Sequence, residues 1–89
     1  MTIEQIIEKE SDVEKDNERN LIIHNDEVNE FGYVVESLIQ ICSHDPIQAE
    51  QCVLVAHLKG KCDVKKGSYN DLKIMKTQFV DRGIQVTID

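Results

Sequence analysis

Two places in the chain carry side chains whose types and spacing could do chemistry. The triplet Asn25-Asp26-Glu27 follows directly on the apolar run Leu21-Ile22-Ile23-His24, and His57 sits inside Val53-Leu54-Val55-Ala56-His57-Leu58. Polar residues in a loop at a strand end are where binding groups commonly lie. The same triplet also suits an Asx turn that caps the following helix, and His57 suits a partly buried histidine bonded to a backbone carbonyl. Asp26 and Glu27 are adjacent, so the two acids need not face one site. No serine or cysteine is visibly paired with His57, and the four glycines are scattered rather than gathered into a phosphate loop. Catalysis therefore finds little support, and the expectation is a protein that is not an enzyme.

The cysteines are Cys42, Cys52 and Cys62, an odd number with no Cys-x-x-Cys, which weakens both redox and zinc readings. Cys42-Ser43-His44 could supply half a metal site, but no second pair has zinc-finger spacing. Cys42 and Cys52 read instead as small buried hydrophobes on helices, and no metal or cofactor is expected.

These residues must be positioned by one small domain, since the chain has 89 residues. With 40% hydrophobic and 30% charged residues, a modest packed core is expected and wholesale disorder is not. The aromatics are Phe31, Tyr33, Tyr69 and Phe79, with no Trp, so the core must be mostly aliphatic. A net charge of −7 argues against a grip on nucleic-acid phosphates and against docking to anionic lipid. Apolar runs extend only a few residues, too short to span a membrane. Glu4, Glu8 and Glu10 are wrong for a secretory signal, so the expected location is cytoplasmic.

Residues 1 to 20 hold seven acids against Lys9, Lys15 and Arg19, and only Val13 is strongly apolar between Ile7 and Leu21. Residues 1–19 are expected to be a flexible acidic arm and residues 20–89 the folded domain. Leu21–His24 reads as a strand and Asn29 as the N-cap of the next helix. Phe31, Val34, Val35, Leu38, Ile41 and Cys42 recur with helical spacing over about 13 residues. Ser43-His44 breaks that helix. Asp45 then caps a second one with Pro46 in its first turn and Gln48 at the capping-box position. This second helix is apolar over most of its circumference, as expected of a central core element or half of an interface. Gly60 ends it. Lys61–Lys65 alternates as a half-exposed strand, Lys66-Gly67 is expected to turn the chain, and Ser68 caps a third helix. That helix buries Leu72, Met75 and Phe79, ends at Gly83, and is followed by a closing strand over Ile84–Ile88. The fold class is α+β. Its order is β-α-α-β-α-β, with a three-stranded antiparallel sheet packed on three helices.

The segments Leu21–Glu27, Phe31–Leu38 and Val55–Lys61 together resemble the ClpS family. The strand-Asn-Asp-acid motif and the His-x-x-Gly-Lys motif, about thirty residues apart in the family's order, carry the resemblance jointly. It covers residues 20 to 65 well and the remainder loosely. ClpS proteins are adaptors of the bacterial N-degron pathway. They bind peptides by a destabilising first residue and hand them to a ClpA- or ClpC-type AAA+ unfoldase of the Clp protease. The resemblance implies the fold derived above and a monomer. It also implies that Asn25, Asp26 and His57 surround a free α-amino group. That ammonium has a reference pKa of about 7.7 to 8.0, so it is mostly charged at neutral pH and needs acceptors. The matching positions of the apolar pocket are Phe31, Val34, Val53, Ala56 and Ile84, and those of unfoldase docking are Asp71 and Lys76. Here Asn29 and Glu30 stand where the family commonly has Thr and Pro, and Phe31 and Val53 where Met is common. The other reading is a ClpS-like interaction domain that docks on a chaperone or another protein without recognising an amino terminus.

Overall fold

The β-branched run within Arg19–His24 forms β1, the middle strand of a three-stranded antiparallel sheet in the order β2-β1-β3. The structure, a computed structural model, describes residues 18–89, so the expectations for the arm fall on residues that lie outside it, apart from Glu18 and Arg19. Strand β1 begins at Arg19, one residue before the expected start of the domain. After it come α1 (Phe31–Cys42), α2 (Pro46–Lys59), β2 (Lys61–Gly67), α3 (Tyr69–Asp81) and β3 (Val86–Ile88). The chain thus has the β-α-α-β-α-β order read from its sequence, with three strands in one sheet and three helices.

Local signals account for most element ends. Asp45 accepts a hydrogen bond from the Gln48 backbone N–H at 2.8 Å, with Pro46 beside it at the helix start, and Ser68 Oγ accepts from the Asp71 N–H at 3.1 Å. Gly60 closes α2 at φ 95°, a conformation that favours glycine, and donates its N–H to the Ala56 carbonyl at 2.8 Å. Ser43 takes the corresponding left-handed position after α1.

Three expectations need correction. Asn29 does not cap α1: the cap position is Glu30, which makes no side-chain cap bond, because the Asn29 amide is engaged elsewhere. Lys66-Gly67 does not turn the chain but extends β2, with Gly67 opposite Arg19. The closing strand is shorter than expected and starts at Val86, since Ile84 still belongs to the turn and donates its N–H back to the Phe79 carbonyl.

One apolar core joins Leu21 and Ile23 of β1 to Val34, Leu38 and Cys42 of α1, to Ala49, Val53 and Ala56 of α2, and to Leu72 and Phe79 of α3. Phe79 is the one aromatic in that core among the described residues, which makes the interior mainly aliphatic. Burying each large side chain there contributes roughly 1.5–3 kcal/mol. The apolar circumference of α2 is not all in the core: Leu54, Val55 and Leu58 are 49%, 36% and 72% exposed, and Ile47 is 68% exposed.

The β1–β2 pairing contains a bulge. Leu21 faces Lys65 and Ile22 faces Asp63, so Val64 has no partner in the ladder while its side chain enters the core. The buried His44 ring meets the carbonyl this leaves over, donating from Nε2 to the Val64 oxygen. That bond fixes the tautomer and places Nδ1 as an unpartnered buried acceptor. His44 is thus a structural residue. Among the described residues no group of three or more His, Cys, Asp or Glu side chains is placed to hold a metal ion.

Candidate functional site

A cleft of about 500 Å³ opens between the end of β1, the start of α1 and the C-terminal half of α2. Three connections position it. Strand β1 ends in the Asn25-Asp26-Glu27 lip. The Asn25 N–H donates to the Gly60 carbonyl at 2.8 Å, which ties that lip to the end of α2, one helical turn beyond His57. The Asn29 side chain donates to the Gly83 carbonyl at 2.9 Å, which ties the other end of the loop to the α3–β3 turn. The mouth of the cleft is therefore braced to both flanking elements.

Asp26 carries the fixed charge of the site. Its Oδ1 accepts from the Val28 and Asn29 backbone N–H groups at 2.8 and 2.9 Å, forming an Asx turn, and its Oδ2 accepts from the Asn29 amide. Partial burial pushes the carboxyl up, but the Asn29 side-chain bond and the two backbone bonds outweigh it and hold the group below its ordinary value. The carboxylate is ionised at neutral pH. An ionised carboxylate has about four acceptor positions. Three are used within the loop, which leaves one on Oδ2 for a donor from outside. The Asx turn read for the triplet is thus present, although it does not cap α1, and it holds the carboxylate at the edge of the cleft.

His57 lies across the cleft on α2, exposed and, among the described residues, without a hydrogen-bond partner. It does not play the structural part of a histidine bonded to a carbonyl. That part belongs to His44. Asn25 lines the same cleft with its side chain exposed. Asn25, Asp26 and His57 therefore share one opening, with the apolar side chains of Val34, Val53, Ala56 and Phe31 forming its walls. Phe31 is 49% exposed and stands at the rim, whereas Val34, Val53 and Ala56 are buried.

Ile84 does not line this cleft. It is 1% exposed within the core, after the turn through Gly83 at φ 75°. Ile23, His24 and Asn29 line the cleft without having been singled out for it, and Glu27, the third member of the polar triplet, lines it as well. Ile23 read only as a strand residue and Asn29 only as a cap. The bond that gives Asn29 its place joins it to a residue 54 positions away, a relation with no local signal. His24 is engaged: its Nε2 lies 2.7 Å from Thr87 Oγ1 on the neighbouring strand.

Asp71 and Lys76 lie on α3, away from the cleft. Lys76 borders a second depression of about 480 Å³ between α3 and β3, with Lys73, Val80 and Ile88, and Asp71 does not border it. Five residues on a helix separate two side chains by about 140° around its axis, so the two do not share a face.

Comparison with known proteins extends what the geometry shows. No curated protein sequence matches the chain. Among solved structures, that of Agrobacterium tumefaciens ClpS2 bound to L-phenylalaninamide superposes with a TM-score of 0.78 at 14% identity, over 83% of this chain and 96% of that one. At that identity the likeness shows a common fold. No helix among the described residues is long and apolar enough to cross a membrane. The sequence pattern of the family described as ATP-dependent Clp protease adaptor protein ClpS matches residues 14–87, nearly the whole chain, and the chain belongs to the ClpS family.

Proposed function

We propose that this protein binds peptides and proteins by a free N-terminal residue and delivers them to a Clp AAA+ unfoldase. The observation that carries this reading is the Asp26 carboxylate, held ionised at the mouth of an apolar cleft with one acceptor position unused and His57 opposite. That combination fits a ligand with an ammonium beside an apolar side chain. The ClpS2 neighbour was solved with such a ligand, phenylalaninamide, which has both features.

In this reading Asp26 opposes the ammonium charge, Asn25 accepts from it through its side-chain oxygen, and His57 accepts through one ring nitrogen. A hydrogen bond to a charged group contributes roughly 1.5–3 kcal/mol. The first side chain rests on Val34, Val53 and Ala56 with Phe31 at the rim, and burying it contributes about 1.5–3 kcal/mol. Together the terms suit affinities near micromolar, strong enough to capture and weak enough to release. The protein itself transforms nothing. Delivery falls to the acidic segment 1–19 and docking to α3, through Asp71 at its start and Lys76 beside the second depression.

Titrating peptides that differ only in their first residue tests the pocket. Leu- and Phe-start peptides should bind and an Asp-start peptide should not. The other reading, an interaction domain without amino-terminal recognition, draws on the exposed Ile47-Leu54-Leu58 stripe of α2. Indifference to residue one would select it.

A further inference from the structure

Cys42, Cys52 and Cys62 lie on three different elements and come together behind the cleft. Cys42 ends α1, Cys52 is in the middle of α2, and Cys62 is the second residue of β2. The Cys52 and Cys62 sulfurs share one acceptor: they lie 4.0 and 3.5 Å from the Asp63 carbonyl oxygen. Both are half-buried, and β2 is an edge strand, so a small solute can reach them. Burial, followed by the neighbouring Cys62 and Cys42, pushes the Cys52 thiol up to about 11, a sign that these thiols feel one another. Cys42 is different. It is 1% exposed, and burial pushes its thiol up to about 11 despite the opposing effect of Lys65.

We propose that Cys52 and Cys62 form a reversible intramolecular disulfide, a modification site that staples α2 to β2 directly behind the peptide cleft. Cys52 adjoins Val53, which lines the cleft, and Cys62 is the ladder partner of Ile23, which lines it too. Opposed residues of an antiparallel pair point to the same side of the sheet, so Cys62 faces α2. The two sulfurs share one carbonyl, and Cys62 is a side-chain hydrogen-bond neighbour of Cys52, the proximity from which a disulfide forms.

The oxidant is a hydroperoxide such as hydrogen peroxide. The Cys62 thiolate attacks one peroxide oxygen, the O–O bond breaks, and the departing hydroxide takes up a proton to leave as water, giving a sulfenic acid on Cys62. The Cys52 sulfur then attacks the Cys62 sulfur and loses its proton. The S–O bond breaks and a second water leaves. Two thiols have given up two electrons and the peroxide has been reduced to two waters. A dithiol reductant reverses the step by thiol–disulfide exchange. Cys62, on the edge strand, meets the peroxide first, and Cys52, on α2, makes the resolving attack.

The test uses the full chain and does not depend on what binds in the cleft. The reduced protein is treated with hydrogen peroxide, its remaining thiols are blocked, and it is cleaved after glutamate and after lysine. Glu50 separates Cys42 from Cys52, and Lys59 and Lys61 separate Cys52 from Cys62, so each cysteine falls on its own peptide. The expected result is a fall from three free thiols to one, an intact mass lower by two hydrogens, and residues 51–59 joined to residues 62–65. Dithiothreitol should undo it. C42A should form the same bridge with a raised thermal midpoint, while C52S and C62S should each form none. A link through Cys42, a covalent dimer, or Cys62 oxidised alone to a sulfinic acid would overturn the proposal.

Discussion

Replacing Asp26 by asparagine removes that carboxylate's charge while keeping its shape, so the consequences can be worked bond by bond. The retained oxygen still accepts from the Val28 and Asn29 backbone N–H groups, and the Asx turn survives. The new amide nitrogen, however, meets the Asn29 amide nitrogen, donor against donor. Asn29 must rotate its amide, and the bond it donates to the Gly83 carbonyl is lost. The fold should therefore lose about 0.5–1.5 kcal/mol, one neutral hydrogen bond, or about 2–12 °C in thermal midpoint for a domain of this size. Binding should lose more, since the ammonium no longer meets the Asp26 carboxylate: roughly 1.5–3 kcal/mol, a ten- to hundredfold rise in Kd. Fluorescence anisotropy on Asp26→Asn and wild type, each with free and acetylated Leu-start peptides, forms a double-mutant cycle. The coupling should appear only when both charges are present. Equal weakening of the free and the acetylated peptide would show that Asp26 acts through the loop and not on the ligand, and would refute the reasoning.

His57→Ala should weaken binding of a Leu-start peptide about ten- to hundredfold, through loss of one hydrogen bond to a charged group, as read by anisotropy. Asp26 should govern acid stability. Its folded value lies below the unfolded one, so its contribution is present above the ordinary carboxyl range and lost as pH falls through the folded value. Urea midpoints should therefore fall less steeply with acid in Asp26→Asn than in wild type. His44→Ala should strand the Val64 carbonyl, costing about 1–3 kcal/mol, with the peptide Kd within twofold or so once the protein is folded. A chain beginning at Arg19 keeps the whole of β1. It should hold its midpoint and its Kd for a Leu-start peptide but lose degradation of an N-degron protein by the cognate unfoldase and peptidase.

Element order was legible because the ends carry local chemistry. Asp45-Pro46, Ser68 and Gly60 cap or close helices by contacts within a few residues, and Leu38, Leu72 and Phe79 sit on faces set by helical periodicity. Features made by tertiary approach were not legible. The bulge at Val64 depends on pairing with β1, and the His44 bond depends on the bulge. Asn29 looked like a cap and proved a brace, because its partner Gly83 becomes a neighbour only after folding. Ile84 resembles a pocket position in sequence, yet it follows the turn at Gly83 and is not among the residues that line the cleft. The cysteines share no helix face or strand, and only the packing of α2 on β2 brings Cys52 and Cys62 to one carbonyl.

The central claim is that the cleft reads a charged amino terminus beside an apolar first side chain. Its most direct test is the ratio of Kd values for one Phe-start peptide with its amino group free and acetylated, measured at pH 7 on the wild-type chain. Loss of the ammonium's charged hydrogen bonds predicts a ratio of at least about ten. Equal affinity for the two peptides would contradict the account.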